Sequence, residues 1–241
     1  VRQIAIIPAR AGSKSVINKN LQKVGNRHLV SLAISACLEV DFFEKIVLTT
    51  DLETLHAEYQ PSMFPPHSMI ETIKRPRELA TDKSKMMDVV LDVIERCDIH
   101  ESDTIWLLQP SSPFRQPFHF LDIKRYLDED GIHGVISFAD VGANHPNRTY
   151  TIVNGRPKRR KYTNYENKQD LKPHYIRNGS FYVSRVDKLR KAKSFEMDST
   201  KAYIMDDLYS INIDSPLDLF IAKSIASIGI KDTFEFMRGI T

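Results

Sequence analysis

Cysteine is scarce. Cys37 and Cys97 are the only two in 241 residues, and neither belongs to a CxxC pair or a metal-type spacing. A disulfide-built scaffold and a zinc module are therefore not expected. Both cysteines fall inside apolar-periodic segments and read as reduced core thiols. Long hydrophobic runs are missing too. Nothing approaches the ~20 apolar residues of a membrane-spanning helix, and no signal-peptide pattern stands at the N-terminus. Charge of one sign does not dominate: 34 Lys and Arg face 31 Asp and Glu, a net of +3. That balance argues against a dedicated nucleic-acid coat protein. Internal repeats and low-complexity segments are absent. The expectation is a soluble protein of a reducing compartment, the cytoplasm, with neither membrane nor nucleic acid as partner. Hydrophobic residues at 41% are enough for a sizeable core.

Short apolar runs recur between polar turns: QIAII (3–7), KIVLTT (45–50), TIWLLQ (104–109) and GVISFA (134–139). They do not alternate in and out, which suits strands covered on both faces. Helical patterns lie between them. HLVSLAISACLEV puts Leu29, Leu32, Ala33, Ala36 and Val40 on one face; MMDVVLDVIERC and PFHFLDIKRYLDED are similar, the latter with Pro117 in its first turn. Strand–helix alternation predicts a mainly parallel sheet with helices on both faces. Ligands of such sheets bind beyond the carboxyl ends of the strands. From residue 140 to 176 the chain turns polar, with one strand expected at TYTIV (149–153). That is too long for an ordinary loop and reads as a protruding arm. Core-like sequence resumes at GSFYVS (179–184), AYIM (202–205) and YSINID (209–214). A helix over 216–228 follows, capped by Ser215.

The first strand runs into a loop that carries Arg10, Lys14 and Lys19 around Gly12 and Ser13. Solvated surface charge is the ordinary fate of such cations. Here they stand where the ligand crevice is expected, and Gly12–Ser13 lets backbone N–H groups approach a ligand. The glycine spacing matches neither a Walker A loop nor a dinucleotide fingerprint. The residues themselves support an anion-binding loop.

IPARAGSKSVINKNL resembles the opening signature of the CMP-sialate synthetases, the acylneuraminate cytidylyltransferases. RPRELATD (75–82), LLQPSSPFR (107–115), NGSFYV (178–183) and SINIDSPLDL (210–219) resemble the later blocks of that family, in the same order. The resemblance implies a three-layer α/β/α nucleotide-diphosphosugar-transferase fold. It divides into a core of residues 1–139 and 178–241 and a dimerisation arm of residues 140–177. It also implies transfer of CMP from CTP to a nonulosonic acid, a nine-carbon α-keto acid sugar, in a homodimer with Mg²⁺ or Mn²⁺. Such chemistry asks mainly for positioning and charge stabilisation.

By the same resemblance, Arg10 and Lys19 are catalytic, neutralising charge as pyrophosphate leaves. Gly12, Ser13, Lys14 and Asn20 hold the nucleotide, with Arg75 and Ser84 on the cytosine. A solvated arginine beside Pro76 is the competing reading of Arg75. KSKMM (83–87) is atypical, because small hydroxyl residues are usual near Lys85 and Met86. Asn212 and Asp214 face one side of an expected strand, where the family usually has Asp-x-Asp for the metal; Asp214 is the expected ligand and Asn212 its support. Gln109, Tyr182 and Phe195 are expected on the sugar, although both aromatics read equally as core. Arg148 and Lys168, in the arm, are expected to reach the sugar carboxylate of the other subunit, with Arg and Lys exchanged relative to the family's usual order. Three rivals remain: a Kdo-type cytidylyltransferase, a non-catalytic nucleotide-binding module suggested by Asn212, and a basic RNA-binding protein suggested by RPKRRK (156–161) alone.

Overall fold

The computed structural model describes residues 1–58, 69–159 and 171–239. In chain order the elements are β1 (Gln3–Ala9), β2 (Lys23–Val24), β3 (Arg27–His28), α1 (Leu29–Leu38), β4 (Phe43–Thr50), α2 (Glu53–Glu58), β5 (Ile70–Lys74), α3 (Met86–Arg96) and β6 (Thr104–Leu107). Then come α4 (Pro117–Leu127), β7 (Gly134–Asp140), β8 (Tyr150–Val153), β9 (Arg156–Arg159), β10 (Tyr175–Arg185), α5 (Val186–Ala192), β11 (Thr200–Ile204), α6 (Pro216–Ile228) and α7 (Ile230–Gly239). Seven strands make one sheet in the order β11-β7-β10-β6-β1-β4-β5. Only β10 runs antiparallel to its neighbours β6 and β7; the other pairs in this sheet are parallel.

Why β1 is continuously apolar is visible in its packing. Ala5, Ile7 and Ala9 face a core built with Ala33 and Cys37 of α1 and Phe120 of α4. Ile4 and Ile6 face the opposite core, with Val90, Val93 and Ile94 of α3 and Leu189 of α5. A strand buried on both faces needs no polar alternation. Each fully buried large aliphatic side chain there contributes roughly 1.5–3 kcal/mol. The result is the expected three-layer α/β/α arrangement. Cys37 and Cys97 are both free and buried, and burial pushes both thiols up to about 12.

Three helix starts follow the sequence closely. Met86 opens α3. Ser215 caps α6: its Oγ accepts the Asp218 N–H at 3.2 Å, and the Asp218 carboxylate accepts the Ser215 N–H at 2.7 Å. Pro117 sits in the first turn of α4, whose entry is closed by His119 Nδ1 accepting the Gln116 N–H at 3.0 Å. His119 is buried, and that burial pushes its imidazole down to about 4. An unfolded histidine titrates near 6.5. Between those values the unfolded chain takes up a proton that the folded chain refuses. Stability should therefore fall as pH drops from about 6.5 towards 4 and be insensitive to this group above that window. Urea unfolding should show ~2–3 kcal/mol lost to this residue between pH 7 and 4.5. The loss should shrink in His119→Gln, whose amide oxygen can keep the cap; an equal loss in that variant would assign the acid sensitivity elsewhere.

The structure departs from the sequence expectation in several places. Residues 209–214 form no strand. Tyr209 and Ser210 close turns onto Asp206 and Asp207, and Ile213 donates its N–H to the Ser111 carbonyl at 2.8 Å, so the segment lies against a loop instead of joining the sheet. Gln109 lies past the end of β6, and β11 stops before Met205. The expected strand at 149–153 is β8, paired with β9, which carries the first four residues of the basic run; the whole hairpin is exposed. The last two residues of that run and Lys168 lie outside the described residues.

Candidate functional site

The loop after β1 passes the carboxyl end of β4 and is tied down on both sides. The Ala11 N–H donates to the Asp51 carboxylate, just past β4, at 2.8 Å. The Asn20 amide donates to the Arg10 carbonyl at 2.8 Å. Gly12 adopts φ +70°, a left-handed conformation that a side chain would strain. So held, the loop presents three cations. Arg10 and Lys14 both grip Asp82, at 2.7 Å each. Hydrogen bonds from Lys14 and then Arg10 hold that exposed carboxyl below the usual carboxylate range. Lys19 reaches the far side: its ammonium donates to the Ile213 carbonyl at 2.9 Å and to Asp214 at 3.0 Å. Its side chain is 18% exposed, whereas that of Asp214 is 68% exposed.

Asn212 and Asp214 meet although they share no strand. The Asn212 amide nitrogen donates to Asp214 at 2.6 Å, and the Asn212 oxygen lies 3.5 Å from the Ser112 hydroxyl. In this orientation Asn212 steadies the carboxylate and presents its own oxygen to Ser112. Gly179, at φ +76°, lets β10 pass close by. A Cβ there would sit 2.7 Å from Gln109 Oε1, 3.2 Å from Ser112 Oγ and 3.4 Å from Asn212 Oδ1. Those distances bring Gln109, Ser112 and Asn212 together against Gly179 of β10.

Arg115 builds that cluster from beneath. It is buried, and its guanidinium donates to the carbonyls of Gln109 at 2.7 Å, Ser112 at 2.7 Å and Ser180 at 2.8 Å. One planar fork thereby clamps the turn after β6 to β10. Burial pushes its pKa down to about 10, which still leaves it charged at neutral pH. Replacing Arg115 by Met should strip buried carbonyls of their donor and cost roughly 2–3 kcal/mol. A melting-temperature drop of ~5–10 °C is the expected reading for a chain this long, and a melt unchanged from wild type would remove the clamp from this account.

Arg75 is 2% exposed, so the solvated alternative is excluded. It donates to the Thr49 carbonyl at 2.9 Å, and burial, partly offset by Asp51, lowers its pKa to about 10. The Ser84 hydroxyl is engaged in its own turn, donating to the Glu78 carbonyl at 2.9 Å and accepting the Thr81 N–H at 3.1 Å. Tyr182 and Phe195 stand 5.8 Å apart between ring centres and line a cavity of about 350 Å³ that Gln109 also lines. Arg148 is exposed on the 3-10 turn Pro146–Arg148, outside this cluster. Among the described residues, no group of three or more His, Cys, Asp or Glu is placed to hold a metal.

Sequence reasoning passed over Asp51, Asp82, Ser112 and Arg115 as site residues. Asp82 ends the RPRELATD block, and Ser112 and Arg115 lie within LLQPSSPFR. A buried arginine bonded to carbonyls leaves no charge pattern to find, because its partners are backbone.

A family model described as cytidylyltransferase matches residues 4–203. The N-acylneuraminate cytidylyltransferase of Streptococcus agalactiae serotype V is 29% identical over 225 residues, 89% of this chain and 51% of that protein. The CMP-N,N'-diacetyllegionaminic acid synthase of Legionella pneumophila is 28% identical over 240 residues, covering 95% of this chain and 97% of that one. The chain spans about half the length of the first curated relatives it matches. Among solved structures, CMP:2-keto-3-deoxy-manno-octonic acid synthetase complexed with CTP superposes with a TM-score of 0.65 at 16% identity, over 94% of this chain and 99% of that one.

Proposed function

The chain belongs to the cytidylyltransferase family, among the CMP-sialate synthetases that its motifs resemble, and from that premise we propose that it couples CTP to a nonulosonic acid, releasing pyrophosphate. The observation that carries this reading is the convergence of Arg10, Lys14 and Lys19 on one side and Gln109, Asn212 and Asp214 on the other, joined by the Lys19–Asp214 contact. A triphosphate would displace Asp82 from Arg10 and Lys14, exchanging one carboxylate for several phosphate oxygens. Gly12, Ser13 and Asn20 shape the loop around it, and Arg75 and the Ser84 turn take the base. Gln109 orients the sugar, whose anomeric hydroxyl attacks the α-phosphorus while the P–O bond to pyrophosphate breaks.

In this reading Asp214, 68% exposed, is the carboxylate that would hold a hard cation of the Mg²⁺ (or Mn²⁺) kind, and Asn212 supports it through the amide that donates to it at 2.6 Å. Mg²⁺ needs only one or two carboxylates, because water and phosphate oxygens complete its shell. When bound, it neutralises charge on the triphosphate. The test is pyrophosphate release with CTP, UTP or GTP and a panel of α-keto acid sugars. Release with CTP and a nonulosonic acid is expected. A UTP or GTP rate equal to that with CTP would overturn the choice of base, and release with no sugar would overturn the transferase reading.

The same proposal places the enzyme in the cytoplasm as a homodimer. Residues 140–177 form the arm, and Arg148 and Lys168 of one subunit serve the sugar carboxylate of the other. Among the described residues no helix is long and apolar enough to cross a membrane. The exposed β8–β9 hairpin supports an arm that needs a partner to cover it. Mixing two inactive variants, Arg10→Ala and Lys168→Ala, should restore activity to roughly a quarter of wild type as hybrids form. No recovery in proven hybrids would put the arm residues in their own subunit's site or outside any.

A further inference from the structure

His145 is buried in a stretch where Asn144, Arg148 and Thr149 are all exposed. A buried imidazole needs partners for both ring nitrogens, and this one has them. Nδ1 accepts the Asn147 N–H at 3.1 Å and so carries no proton. Nε2 therefore holds the ring's hydrogen and donates it to the Lys172 carbonyl at 3.0 Å.

The two bonds reach different parts of the chain. Asn147 lies in the 3-10 turn Pro146–Arg148, so the first bond caps the turn that carries Arg148, whose own N–H is held by the His145 carbonyl at 2.8 Å. Lys172 lies where the chain returns towards β10, so the second bond pins the outgoing leg of the proposed arm to its returning leg. His174 strengthens the joint. Its Nδ1 meets the same Lys172 carbonyl at 2.9 Å, and its ring packs edge-on against His145 with centroids 4.2 Å apart. Its own carbonyl accepts the Val141 N–H at 3.0 Å. The ladder between β7 and β10 ends at the pair Asp140 and Tyr175, so sheet pairing stops short of the Arg148 turn. Beyond that pair, the His145 joint ties the turn to the returning leg. An arginine grips a carboxylate bidentately and in one plane, so its grip depends on the angle at which its turn is held.

Resting on the arm reading above, we propose that His145 is a positioning residue: it locks the Arg148 turn onto the returning leg of the arm, at the angle from which Arg148 meets the sugar carboxylate in the other subunit's site.

The experiment is steady-state pyrophosphate release with CTP and the nonulosonic acid of the panel that the native enzyme uses best, in His145→Ala, His145→Asn, Arg148→Ala and the double variant His145→Ala/Arg148→Ala. In His145→Ala, kcat/KM for the sugar should fall on the order of 10- to 100-fold, the cost of misplacing a substrate-positioning group by about an ångström. KM for CTP should stay within about twofold, because the loop after β1 is untouched. His145→Asn offers an amide oxygen near the Nδ1 position, which keeps the cap but loses the reach to Lys172, and should fall between native and His145→Ala. The double variant should match Arg148→Ala within about twofold, because a residue that acts through Arg148 then has nothing left to position. Native mass spectrometry should show every variant still paired. If His145→Ala does not fold, the same comparison is made with His145→Asn. A folded His145 variant with native kcat/KM for the sugar, beside an impaired Arg148→Ala, would overturn this inference and leave the arm reading standing. Losses that multiply in the double variant, or His145 variants that no longer pair, would make His145 a general support of the arm and equally overturn it. Native sugar kinetics in Arg148→Ala would fell the arm reading and this inference with it, and no release with any sugar of the panel would fell the transferase reading as well.

Discussion

Replacing Lys19 by Ala should lower turnover by on the order of 10²–10³-fold with the fold intact, and Arg10→Ala should cost about 10²-fold. The two differ because their surroundings differ. Lys19 is held in place before any nucleotide arrives, by the Ile213 carbonyl at 2.9 Å and Asp214 at 3.0 Å. A charge fixed in advance stabilises the departing pyrophosphate without reorganising during the reaction. Arg10 must first leave Asp82. Its loss removes one cation but also frees Asp82 from one competitor, so part of the defect should appear in KM for CTP. Steady-state pyrophosphate release, beside a thermal melt of each variant, is the measurement. Near-normal kcat from Lys19→Ala would remove that residue from the catalytic set.

Asp214→Ala should be inactive at every Mg²⁺ concentration, a loss of about 10³-fold or more. The carboxylate is largely exposed, so its removal threatens the chemistry far more than the fold. Asn212→Asp should act in the opposite direction. It sets a second carboxylate beside the first, and a hard cation answers added negative charge with tighter binding. Less Mg²⁺ should then be needed for half-maximal rate. Because Lys19 touches Asp214, the double variant should fall well short of the product of the single losses. An Asp214→Ala enzyme that still responds to Mg²⁺ would show that the metal is held elsewhere.

Much of this arrangement was legible in the chain, and the parts that were not share a physical cause. β1 was legible because a strand buried on both faces must be apolar throughout. α6 was legible because Ser215 and Pro216 are helix-start chemistry, and the observed cap uses that serine. The cations of the first loop were legible by their place after a buried strand. YSINID misled because Ile211 and Ile213 alternate with polar residues as a strand would, while Ile213 spends that pattern on a loop and the α6 core instead. Gln109 and Asn212 are 103 residues apart and converge only because Gly179 lets β10 approach them. Arg115 was hidden for a related reason: its partners are carbonyls, which every residue has. Local pattern reports what a residue is; it does not report which distant backbone comes to meet it.

Cys37 and Cys97 are shut inside the core with thiols pushed up to about 12, so at neutral pH neither offers a thiolate to a reagent in solution. The native chain is thus already a blank background for site-specific labelling. A single cysteine introduced at Ile152, 67% exposed on the β8–β9 hairpin, would be the one site open to a maleimide dye. Fluorescence from that dye could follow the hairpin meeting a second copy of the chain, with both natural cysteines still in place.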